Sequence, residues 1–211
     1  MHSRLRLWTP VLLGVSLVSS VPTFAGVPSP GTSEVDARLF VCPYETIAFN
    51  VFVNDAAFNP VANSFVELRF SNCTADPAYP GSVPTHLCPT GGGPLTMYTD
   101  VYGQATFLVK AGGVCPASLA QVFADGVLLA TRAVSSPDQD GSLVVLGQDA
   151  AILVAKQTSG SYQPTADLDG DGDTNNDPGD YAVYDLHAGH GCDAITPSAR
   201  RSWGSVKILY R

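Results

Sequence analysis

Asp169, Asp171, Asp173, Asn175, Asp177 and Asp180 place an oxygen-bearing side chain at positions 1, 3, 5, 7, 9 and 12 of one Gly-rich stretch. Alternate oxygens in a tight loop, closed by a carboxylate at the twelfth position, suit a hard divalent cation such as Ca²⁺. Such an ion takes about six to eight oxygen ligands at about 2.3–2.6 Å. Asp167 offers a second register through 167, 169 and 171, with Gly172 sixth. That register puts Pro178 at the twelfth position, where no side-chain ligand is possible. The first register is therefore preferred, although Thr174 stands where the sixth position usually holds glycine.

The loop has an internal counterpart. Displaced by 31 residues, Asp138-Gln-Asp140-Gly141 falls on Asp169-Gly-Asp171-Gly172, and Asp149 falls on Asp180 with no gap. Ile152 and Leu153 fall on Val183 and Tyr184, where an exiting helix would begin. Two units of a cation loop followed by one apolar helix resemble a type I dockerin, whose loops are of EF-hand type. The resemblance implies a small α-helical, Ca²⁺-stabilised module over 136–191. Its ligands would be Asp169, Asp171, Asp173, Asn175, Asp177 and Asp180 in one loop, and Asp138, Asp140 and Asp149 in the other. Ser142 at the fifth position and Leu146 at the ninth make 138–149 the weaker loop, so 169–180 is the one expected to bind. A solvated acidic linker is the bland alternative for Asp/Gly runs, and the second copy argues against it.

His187, His190, Cys192 and Asp193 form another cluster that zinc could use. Gly189 and Gly191 interrupt the helix there, and no fourth ligand is evident, which disfavours it. No G-x-S-x-G nucleophile elbow occurs, and His86, in the loop before Cys88, is the sole histidine of the region 35–134. The carboxylates are concentrated in the loops, leaving no isolated acid/base pair. A non-catalytic protein is expected, with a small secreted hydrolase as the rival from the enzyme class.

The elements that would carry these loops begin with a β-rich region. Residues 46–53, 65–70, 105–109, 119–124 and 127–134 are β-branched and aromatic or alternate in polarity, and are bounded by turn residues. In 65–70, Val66, Leu68 and Phe70 share one face. Asp125-Gly126 is a strong two-residue hairpin signal. The run VNDAAFNPVANSFVELRF, followed by TDVYGQATFLVKAGG, resembles the bacterial immunoglobulin-like domains of invasin- and intimin-type surface proteins. Phe58 replaces the usual glycine before Asn59-Pro60-Val61, and Asn63 stands where glycine is common. The resemblance implies an immunoglobulin-like antiparallel β-sandwich over 35–134 with a spacer or adhesive role.

Residues 1–25 read as a cleaved signal peptide: Arg4 and Arg6, an apolar stretch over 12–21, then small residues up to Ala25. Residues 26–34 would be a linker and 192–211 a basic tail. The formal charge is −8, and −10 without 1–25, which hold two arginines and no acid. That balance excludes a nucleic-acid or anionic-lipid footprint, which wants clustered Lys and Arg. No segment after the signal is apolar enough to span a membrane. Export permits disulfides: Cys73 with Cys88 and Cys42 with Cys115 is the favoured pairing, the other two connectivities stay open, and Cys192 is left over.

The expected protein is thus secreted or at the cell surface and mainly β, a sandwich followed by the calcium module. It would attach a protein partner or self-assemble. A cohesin-binding subunit of a multiprotein complex is the alternative within binding proteins.

Overall fold

The computed structural model describes residues 26–90, 92–173 and 178–192. The expected signal peptide, and all of the tail beyond Cys192, lie outside the described residues. The chain is mainly β. One antiparallel sheet has the order β1 (Glu34–Val35), β3 (Ile47–Phe52), β7 (Gln104–Val109). A five-stranded sheet runs β2 (Leu39–Phe40), β10 (Val127–Ser135), β9 (Cys115–Ala124), β4 (Phe65–Arg69), β6 (Thr96–Tyr98). Its pairs are antiparallel except β2 with β10. β5 (His86–Leu87) and β8 (Ala111–Gly112) form a separate short ladder.

The alternation along each strand builds the core. In β4, Val66 and Leu68 are buried while Arg69 is exposed. With Val122 and Val134 they meet Phe49, Val51, Phe107 and Val109 of the other sheet in one apolar cluster. Each such side chain contributes about 1.5–3 kcal/mol on burial. Asp125 and Gly126 take φ values of 47° and 81°, the left-handed pair that a two-residue hairpin with native twist requires. The Asp125 carboxylate also accepts from Ser64 Oγ at 2.8 Å and from the Phe65 amide at 2.9 Å, tying β4 to the β9–β10 turn.

The motifs behind the immunoglobulin-like resemblance do occupy turns. Asp55 Oδ1 accepts from the Ala57 and Asn59 amides at 2.8 and 2.9 Å. Asp100 Oδ1 does the same for Tyr102 and Gln104, again at 2.8 and 2.9 Å. The two turns abut at Gly103, where a Cβ would come 2.5 Å from the Val53 carbonyl.

The acidic region carries α1 (Gly147–Gln157) and α2 (Pro178–His187). Leu153, Tyr184, Val145, Ala166 and Leu168 make a second small core, and Phe40 of β2 packs against it. Polar ties fix the helices to the β region. Lys156, wholly buried on α1, lies 3.5 Å from Asp76. The Arg38 guanidinium donates to the Leu168 carbonyl, and His187 Nδ1 lies 3.3 Å from Cys42 Sγ.

The cysteines pair differently from expectation. Cys73 joins Cys115, Cys88 joins Cys192, and Cys42 is free and buried. The expected partners, Cys73 with Cys88 and Cys42 with Cys115, are therefore corrected. The reason is the docking of α2, which no local spacing reports. The β5–β8 ladder holds the Cys88 amide on the Lys110 carbonyl at 2.9 Å. Lys110 Nζ in turn reaches the Cys192 carbonyl at 3.1 Å. Cys42 faces His187 instead of β9.

Candidate metal centres

Each acidic loop gathers three carboxylates around the start of a helix. In the first, ligand atoms of Asp138, Asp140 and Asp149 lie within 4.8 Å of one another; in the second, those of Asp167, Asp169 and Asp180 do. Asp149 is the third residue of α1 and Asp180 the third of α2. A carboxylate there lies at the positive end of the helix dipole. The two loops repeat one hydrogen bond. The Asp140 amide donates to Asp149 Oδ1 at 2.8 Å, and the Asp169 amide donates to Asp180 Oδ1 at 3.2 Å. The glycine after each, Gly141 or Gly170, is left-handed at φ 71° or 83°.

This equivalence changes the register. Asp138 corresponds to Asp167, and Asp140 to Asp169, while Asp149 corresponds to Asp180. The second loop is longer by two residues: the paired Asp residues are 11 apart there and 9 apart in the first. Pro178 is the first residue of α2, a position that suits proline because its missing N–H is not needed. It therefore does not stand where a ligand is required. Asp167, which the 169–180 register leaves out, is in the group. Asp171 and Asp173 are exposed and outside it, their amides capped by Asp169 Oδ1 and Asp171 Oδ1 at 3.1 and 2.9 Å. Asn175 and Asp177 lie outside the described residues. The tetrapeptide Asp-x-Asp-Gly of 138–141 recurs at both 167–170 and 169–172, so it admits this register without selecting it. Pro178, which suits the first position of a helix, is the signal that favours it.

The first loop is the more deeply enclosed. Asp138 and Asp149 are both fully buried. Asp149 spends its oxygens on the Asp140 amide and on the Leu146 amide, the latter at 2.7 Å. Asp138 Oδ2 accepts from the Leu143 amide at 2.9 Å, but its Oδ1 is buried with no partner. Gly112 of β8 makes room for this carboxylate: a Cβ there would collide with Asp138 Oδ2. Burial, with the neighbouring Asp149 charge second, raises the Asp138 carboxyl to about 7. Burial likewise raises Asp149 to about 6.

In the second loop Asp180 is also fully buried. It accepts from the Leu168 amide and, at 3.2 Å, from Gln157 Nε2. Burial raises it to about 6. Asp167 accepts from the Gly170 amide at 2.6 Å and from the Tyr162 hydroxyl at 2.9 Å.

Burying an isolated carboxylate is costly unless a cation or proton compensates it. The all-oxygen donor sets, and an orphaned buried oxygen on Asp138, fit a hard cation such as Ca²⁺ better than a soft or imidazole-seeking one. The His187–Cys192 cluster fits zinc poorly, because the Cys192 sulfur is spent in the bond to Cys88. His190 stacks on Tyr44 with ring centroids 4.1 Å apart, and Asp193 lies outside the described residues. Comparisons with protein-family models, with curated proteins and with solved structures found no match.

Proposed function

We propose that this is an exported, non-catalytic protein in which an immunoglobulin-like sandwich carries a dockerin-like module stabilised by Ca²⁺. The observation that carries the reading is the duplicated group of three aspartates at a helix start, one member with a buried, unpartnered oxygen. Without a cation the clustered carboxylates repel one another and sit at a desolvation cost. With one, the charge is compensated, the loops are fixed, and binding energy becomes folding energy. Asp138, Asp140 and Asp149 would hold one ion. Asp167, Asp169 and Asp180 would contribute to the other.

Two disulfides support an extracytoplasmic setting; no described helix is long and apolar enough to cross a membrane. The module's role would be attachment to a protein partner or self-assembly at the cell surface. Val144, Leu146, Val154 and Leu186 support it, since all four are exposed apolar residues on the loops and helices of the module.

Calorimetric titration of Ca²⁺ into chelator-stripped protein tests the reading. Saturable binding at two sites is expected, with one lost in Asp138→Ala and the other in Asp180→Ala. Absence of binding heat, or binding indifferent to both substitutions, would overturn it. Sedimentation with and without Ca²⁺ then reports whether the ordered module self-associates.

A further inference from the structure

A cleft of about 360 Å³ lies where the edge of the five-stranded sheet meets the second acidic loop. Its wall includes Arg38, Arg132, Ser135, Tyr162, Asp167 and Gly170. Two of these present buried donors with nothing to donate to. Ser135 is only 2 % exposed and its Oγ has no partner. Arg38 Nε is likewise buried and unpartnered. Neither lack is local accident. Arg38 is held by its Nη2, which donates to the Leu168 carbonyl, and its guanidinium lies against the Cα of Gly170, where no Cβ would fit. Ser135 is fixed by the β2–β10 ladder, opposite Phe40.

The charge balance of the cleft selects its occupant. Among the described residues neither Arg38 nor Arg132 makes an ion pair. Arg132 spends its hydrogen bonds on the Asp36, Thr131 and Val35 carbonyls at 2.7–2.9 Å, and the nearby Asp36 carboxylate offsets part of its charge. The one acid in the wall, Asp167, already has both oxygens engaged by Gly170 and Tyr162. Unspent N–H and O–H donors beside two cationic groups call for an anionic acceptor. A carboxylate offers two acceptor oxygens, one for each of the two unspent donors. The volume is at the low end for ligand sites, which run about 300–1,000 Å³. It admits a body the size of one sugar or one amino-acid residue.

From this geometry we infer that the cleft is a binding site for a small carboxylate, read by Arg38 Nε and Ser135 Oγ with Arg132 supplying long-range charge. This goes beyond the Ca²⁺ reading and does not rest on it.

Amide NMR of the full chain without residues 1–25, in Ca²⁺ buffer at constant ionic strength, tests the inference. The probes are glucuronate and N-acetylglycine, with glucose and the N-acetylglycine methyl ester as neutral counterparts. Both acids should shift the amides around Arg38, Ala133 and Ser135 saturably, and the neutral counterparts should not. Tighter binding of one acid assigns the natural source as an acidic sugar or a peptide carboxylate. Ser135→Ala removes one hydroxyl from the wall. It should weaken binding about tenfold, the worth of a hydrogen bond to a charged group, as should Arg38→Gln. The exposed Arg69→Gln, outside the cleft, should leave it unchanged. Shifts that are absent, that the neutral probes match, or that survive Ser135→Ala undiminished would overturn the site and leave a water-filled cleft.

Discussion

Asp138 and Asp149 are held with carboxylate oxygens within 4.8 Å of each other, both residues fully buried, and Oδ1 of Asp138 without a partner. Two desolvated like charges at this distance disfavour ionisation of both. The pair is therefore stable when protonated or when a cation lies between its members, and unstable when bare.

The first expectation is a pH dependence of the metal-free protein. Asp138, Asp149 and Asp180 have folded-state pKa values raised to about 7, 6 and 6, burial being the first cause in each. Asp140 adds its charge to the first pair and Asp169 to the last. The folded state thus holds protons that the unfolded state releases at about pH 4. Their stabilisation is complete below that value and is lost as pH rises through 6 and 7. Melting curves in chelator should fall from pH 4.5 to pH 8, and saturating Ca²⁺ should remove the fall. A chelated protein whose melting point is flat or rises over that range would be inconsistent with this.

Asp138→Asn separates charge from packing. The amide fills the same space next to Gly112 without the bare charge. Chelated Asp138→Asn should melt higher than chelated wild type, by about 2–4 °C per kcal/mol of relieved repulsion for a chain of this size. It should also lose most of the rise that Ca²⁺ gives the wild type. A variant that melts lower in chelator and still responds fully to Ca²⁺ would show that Asp138 is a packing residue.

Much of this was legible in the residues, and what was not has a physical cause. Alternation placed Val66 and Leu68 in the core, and Asp125-Gly126 fixed its hairpin, because both signals are local. The aspartates were identified as a class, but their grouping was not. Asp167 enters the site and Asp171 leaves it because the start of α2, set by Pro178, decides which carboxylate reaches back. A gapless comparison hides the two-residue difference between the loops. Lys156, Arg38 and the Cys88–Cys192 bond gave no signal, since each depends on how the helices dock on the sheets.

Lys156 is the most exposed to test of these long-range ties. Its ammonium is fully buried between Asp76, Gln139 Oε1 at 2.9 Å and Thr165 Oγ1 at 2.8 Å. Lys156→Met leaves Asp76 as an uncompensated buried charge and should cost about 3–5 kcal/mol. Urea unfolding measures it, and the double variant Lys156→Met/Asp76→Leu should recover part of the loss. A cost under about 1 kcal/mol would place the pair in the range of exposed ion pairs, contrary to its burial.

The disulfide assignment makes a chemical prediction. Peptide mapping without reduction should recover Cys73 with Cys115 and Cys88 with Cys192. Cys42, wholly buried beside His187, should resist alkylation in the native protein and react once in denaturant. Substituting Cys88 and Cys192 by serine opens a closure of 104 residues and should cost about 2–5 kcal/mol. Rapid native alkylation of one thiol, or a Cys42 cross-link, would show a different arrangement of α2 on the β region.

The central claim is that both aspartate groups hold a hard cation, and anomalous diffraction from crystals grown with Mn²⁺ in place of Ca²⁺ tests it most directly. The expected result is two peaks, one ligated by Asp138, Asp140 and Asp149 and one by Asp167, Asp169 and Asp180. A map with no peak at either group, or with manganese held only elsewhere, would contradict it.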